Sequence, residues 1–208
     1  YGMMGNGMGY GMGATTPMTN TTTYGYGGWG PGMMGSGPSF MAPTNGLVTP
    51  LTLDQATQAA EASIAAYGNP DLALAEILEF TNNFYVLVRE QSSGSGAFEL
   101  LVDRYTGAVF PEPGPNMMWN AKYGYMGGMM GNWWNGTPSL EMPITSEKAR
   151  SLAQTYLDQS APGTLVDDEV DTFYGYYTIE TLQNDQIAGM LSVNGYTGQI
   201  WIHTWHGA

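Results

Sequence analysis

The chain has 208 residues, with 18 Asp and Glu against 5 Lys and Arg, a formal net charge of -13. That balance excludes nucleic acid and anionic membrane surfaces as partners, because both are held by clustered Lys and Arg. The absence of cysteine excludes disulfides, thiolate metal sites, iron–sulfur clusters, haem attachment through CxxCH and cysteine nucleophiles together.

Charge and methionine are segregated along the chain. Residues 1–53 carry no Asp, Glu, Lys, Arg or His, and all 18 acids lie between Asp54 and Asp185. Of 15 methionines, eight lie in 3–41 and six in 117–142. No apolar run reaches the roughly 18 residues of a membrane span. The opening at Tyr1 rather than Met, the low charge and the many Thr, Ser, Asn and Gly residues predict an extracellular or periplasmic chain whose signal peptide has been removed.

Residues 1–49 form a Gly/Met/Tyr-rich tract, too rich in glycine for a helix and too aperiodic for an ordinary strand. Its Tyr10, Tyr24, Tyr26 and Trp29 are side chains that gain from burial and aromatic contact. A first module is expected over 50–116. Leu51-Thr52-Leu53-Asp54-Gln55 reads as a helix start, with Thr52 at the cap, Gln55 at N3 and Leu51 as staple. The helix runs to about Tyr67 and stops at Gly68-Asn69-Pro70. A short helix or turn is predicted over 71–79, then strands at 84–89, 97–103 and from 108, with a hairpin loop at 92–96. Residues 117–142 form a Met/Gly/Trp-rich linker or insertion containing Trp119, Trp133 and Trp134.

The same order then returns over 143–208. Ile144–Ala149 matches Leu51–Ala56, and Phe173–Ile179 matches Phe80–Val86, both at an offset of 93 residues. Ser192–Trp201 matches Leu101–Phe110 at an offset of 91, the second hairpin loop being two residues shorter. An internal duplication accounts for this. The fold expected is α+β: two repeated small modules, each one or two helices on a three- or four-stranded antiparallel sheet, plus extended tracts. The N-terminal helix, the strand and the closing Asp103/Thr106/Gly107 and Asn194/Thr197/Gly198 hairpins resemble the PepSY domain family over about 50–112 and 143–205. That resemblance implies a non-enzymatic module of secreted or cell-envelope proteins that inhibits, chaperones or binds, a secreted protease being one possible partner.

Residues with chemistry to offer are few. The only histidines are His203 and His206, in WIHTWHG. On an extended strand they point to opposite faces, poor geometry for a metal clamp unless the strand ends before His206. No GxSxG elbow, P-loop or helix-flanked GxGxxG is present. The densest acidic run, Asp167 to Asp171, lacks the ligand spacing of a calcium loop. No catalytic residue and no resident cofactor are expected. Asn20-Thr21-Thr22 and Asn135-Gly136-Thr137 fit the N-glycan acceptor pattern.

The methionines leave one cofactor open. Thioethers suit Cu(I) outside the cell, and Met33, Met34, Met117, Met118, Met126, Met129 and Met130, with His203, are the candidate ligands. Gap-filling between glycine-rich segments explains the same residues. The functional expectation is a self-associating or filament-forming extracellular subunit that docks its N-terminal tract on a neighbouring module. The alternatives are a Cu(I)-binding protein and a protease inhibitor or chaperone.

Overall fold

The protein is described by a computed structural model over residues 49–124 and 138–207. In the first module, helix α1 (Leu53–Ala66) begins at a capping box. Gln55 N donates to Thr52 Oγ1 at 3.3 Å, and Thr52 N donates to Gln55 Oε1 at 3.0 Å. Ala56, Ala60 and Ile64 lie four residues apart and form the buried face. Strands β1 (Leu72–Glu79), β2 (Asn83–Glu90), β3 (Gly96–Asp103) and β4 (Val109–Pro111) form an antiparallel sheet in that order.

The expectation of a helix or turn at 71–79 is overturned, because those residues are β1, a full edge strand. Leucine, alanine and glutamate favour a helix locally, but β2 offers a ladder from Leu72↔Glu90 to Glu79↔Phe84. Tertiary pairing overrides the local preference. The sheet therefore has four strands, the upper of the two numbers expected.

After the short helix α2 (Pro115–Met118), the second module starts with α3 (Ser146–Ser160). Thr145 caps it, accepting from Lys148 N at 3.3 Å, and Ala149, Ala153 and Leu157 are buried. Strands β7 (Tyr176–Gln183), β8 (Gln186–Asn194) and β9 (Ile200–Ile202) repeat β2 to β4. Two short strands, β5 (Leu165–Val166) and β6 (Asp171–Thr172), both pair with β7, giving five strands where three or four were expected. The closing hairpins are alike. Asp103 Oδ1 accepts from Tyr105 N and Thr106 N at 3.0 and 2.8 Å, and Asn194 Oδ1 accepts from Tyr196 N and Thr197 N at 3.0 Å each. Gly107 and Gly198 follow with φ of 70° and 73°, a conformation that glycine adopts freely. The residues that carry the PepSY resemblance thus build a turn.

Alternation along the strands divides the core into three parts. Phe84, Val86, Val88, Leu100 and Val102 face α1, while Tyr177, Ile179, Leu191 and Val193 face α3. The opposite faces of the two sheets meet in a third cluster of Phe80, Tyr85, Leu87, Leu101, Phe173, Tyr176 and Met190. The layers run helix, sheet, sheet, helix. Gly96 bridges to Phe173, and a side chain at that glycine would meet the Phe173 ring at 2.5 Å. Glu90 ties the joint further. It accepts from Lys122 Nζ and Tyr123 OH at 2.5 Å, and from Tyr174 OH and Ser93 Oγ at 2.8 Å. Burial would raise its carboxyl, but these hydrogen bonds outweigh it and hold the pKa at about 2.

Candidate metal centre

Strand β9 ends at Ile202, and the backbone turns away from extended geometry before reaching His206. This is the exception stated for the sequence, a strand that ends before His206, and the two histidines do not diverge. Both converge on Glu112, which follows β4 of the first module. His203 Nδ1 lies 3.2 Å and His206 Nε2 3.1 Å from Glu112 Oε1. All three side chains are wholly buried, and their ligand atoms lie within 4.8 Å of one another.

The duplication explains the pairing. Glu112 N donates to Glu99 O at 2.9 Å, and His203 N donates to Met190 O at 3.0 Å. Both steps are 91 residues apart, so Glu112 and His203 hold the same place in the two copies. With the sheets face to face, equivalent positions meet. Asn116 fixes the first of them: its Nδ2 donates to Glu99 O and Glu112 O at 2.9 and 3.1 Å. His206 belongs to a terminal segment that crosses to the first module. Asn82 N donates to His206 O at 3.0 Å, and Asn83 Nδ2 donates to Trp205 O at 3.0 Å. The His206 ring stacks on Phe80 at 4.3 Å.

Each of the three groups keeps one buried polar atom unsatisfied. Despite the short separations, His203 Nδ1, His206 Nε2 and Glu112 Oε2 make no aligned hydrogen bond, and all are buried. Glu112 Oε1 accepts from Trp205 Nε1 at 2.9 Å. Unpartnered buried polar atoms are costly, and a cation between them removes that cost. Metal–donor bonds of ~2.0 Å in a tetrahedral site place neighbouring donors ~3.3 Å apart, close to both nitrogen–oxygen distances. Two imidazoles and one carboxylate form a donor set suited to a divalent ion of the zinc class. Burial alone would raise the Glu112 carboxyl, but the two histidines outweigh it and hold it below the usual carboxylate range. Burial lowers His206 by more than Glu112 raises it, which favours the neutral, metal-binding imidazole.

The expectation of no cofactor apart from copper on thioethers is corrected by this cluster. Of its proposed ligands, His203 sits in the site with Glu112 and His206. Met117 and Met118 lie on α2, half-buried and 54% exposed respectively. Met33, Met34, Met126, Met129 and Met130 lie outside the described residues, as do Tyr10, Tyr24, Tyr26, Trp29, Trp133 and Trp134. Trp119 packs edge-on against Trp201 at 5.7 Å, within the joint. Sequence reasoning missed Glu112 altogether. The 91-residue offset was the signal that pairs it with His203.

One arrangement resembles catalytic machinery. Ser192 Oγ lies 2.9 Å from His203 Nε2, and Glu112 stands on the other ring nitrogen, the spacing of a nucleophile, base and acid. Yet Ser192, His203 and Glu112 are 0%, 4% and 0% exposed, so no substrate meets them in this state. Two grooves of about 540 and 610 Å³ lie elsewhere, one beside α1 and Leu72–Leu74, the other beside α3 and Val166–Val170. Among the described residues no helix is long and apolar enough to cross a membrane.

No protein-family model and no curated protein matches the chain. Among solved structures, the Bacillus megaterium YpeB C-terminal domain is similar at 9% identity with a TM-score of 0.25. That match spans 73% of this chain and 61% of the other, a likeness too weak to carry function.

Proposed function

We propose that this is a non-catalytic, exported metal-binding protein that holds one divalent ion of the zinc class where its two modules meet. The observation that supports the reading is the convergence of three buried side chains, Glu112, His203 and His206, each with one buried polar atom that makes no aligned hydrogen bond. The ion would link the residue after β4, the residue after β9 and the terminal segment, fastening one copy of the repeat to the other. Full burial fits a structural ion better than a catalytic one, which needs an open coordination position. The test is calorimetric titration of the purified full chain with zinc, with metal content measured after dialysis. One equivalent per chain is expected, lost in His203→Ala and Glu112→Gln. A folded wild-type protein that takes up no zinc overturns the reading.

A further inference from the structure

Each imidazole must present a bare nitrogen to an ion, so its hydrogen must sit on the other nitrogen. For His206 the partner of that other nitrogen is Asn83, whose Oδ1 lies 2.9 Å from His206 Nδ1. Asn83 Nδ2 is used on Trp205 O, so the oxygen faces the ring and accepts. The hydrogen is then on Nδ1, and Nε2 faces Glu112 bare.

His203 is governed from further away. Thr178 Oγ1 donates to Glu99 Oε1 at 2.8 Å. A hydroxyl has one hydrogen, so at the 3.0 Å contact between Thr178 and Ser192 the donor is Ser192. Ser192 then has no hydrogen left for His203, and at 2.9 Å the donor is His203 Nε2. The bare nitrogen is Nδ1, the one beside Glu112. Burial, followed by the nearby Glu112 charge, raises the Glu99 carboxyl well above its usual range. Glu99 Oε2 accepts from Tyr176 OH at 2.7 Å, and Oε1 accepts from Tyr85 OH at 2.9 Å as well as from Thr178. These contacts make Glu99 the acceptor at the end of the chain.

We infer that the buried chain Glu99–Thr178–Ser192, together with Asn83, sets both histidine tautomers and so makes His203 Nδ1 and His206 Nε2 the metal donors. This rests on the metal reading. Thr178 touches none of the three ligands, which makes it the informative position. In Thr178→Val, Ser192 loses its acceptor and turns its hydrogen to His203 Nε2. The imidazole hydrogen then moves to Nδ1 and blocks the donor.

The experiment uses the full chain and zinc as probe, with affinity measured by competition against a chelator. Long-range ¹H–¹⁵N NMR reads the tautomers of the zinc-loaded wild type. Ser192→Ala and Thr178→Val are expected to bind zinc tenfold to a hundredfold more weakly, and Thr178→Ser to restore wild-type affinity. The loaded wild type is expected to carry hydrogen on His203 Nε2 and His206 Nδ1. Reversed tautomers, or Thr178→Val and Ser192→Ala binding like wild type, overturn the inference and leave the metal reading standing. A wild type that binds no zinc overturns both. If Thr178→Val fails to fold, the wild-type tautomers decide alone.

Discussion

Single residues carry the sharpest electrostatic conflicts in this molecule. Glu180 is half-buried on β7 near Glu76, Asp167, Asp171 and Glu169, with Arg89 bound to Asp171 at 3.2 Å. Burial first, then these like charges, raises its pKa to about 7. The folded protein thus holds this proton at a pH where the unfolded chain, near the ordinary value of 4.5, has released it. Between those values the native state binds more protons, and stability falls as pH rises. Glu180→Gln is expected to flatten the decline between about pH 4.5 and 7 and to be more stable than wild type above it. Urea unfolding across that range checks this, and an unchanged slope would contradict it. Glu90, held at about 2, works in the opposite sense: its contribution is present above the unfolded value and is lost as pH falls toward 2. Backbone constraint is equally local. Gly175 has φ of 113°, and any side chain there would press on the Trp119 carbonyl oxygen.

At the scale of elements, each local signal succeeded where its partner lies within a few residues. The start of α1 was legible because Thr52 and Gln55 satisfy each other's backbone donors. Thr52→Ala is expected to cost about 1 kcal/mol, measured as a fall in the midpoint of urea unfolding with an unchanged slope. A loss within error would mean that packing of Ala56, Ala60 and Ile64 holds the helix without its cap. The paired turns were legible for the same reason, since Asp103 and Asn194 bond backbone two and three residues on. Strand β1 was misread because its determinant is not local. Leu72–Glu79 has helical composition, and only the ladder to β2 makes it extended. The strands β5 and β6 were missed because each has two residues and exists through β7 alone.

For the whole molecule, the terminal segment is decisive. It carries two of the three candidate ligands and reaches from β9 of the second module to Phe80–Asn83 and Glu112 of the first. Zinc that binds only the folded state raises stability by about 2.7 kcal/mol at one hundred times its dissociation constant. The wild type is therefore expected to melt at higher temperature with zinc, while a chain ending at Ile202 shows no such shift. A truncated chain that retained the zinc shift would place the ion elsewhere.

The sequence by itself determined the duplication, the helix caps and closing turns, and the lack of thiolate chemistry, because these depend on near neighbours or on composition. Its 91-residue offset also held the equivalence of Glu112 and His203, although nothing in the linear pattern said that the copies face each other. Only the tertiary structure decided that. Packing the two sheets through Tyr85, Leu101, Phe173, Tyr176 and Met190 brings equivalent strand ends together, and the end of β9 at Ile202 frees the backbone to turn His206 inward. A candidate metal centre made of residues 91 and 94 positions apart depends on through-space proximity, and hydrophobic burial between the sheets supplies it.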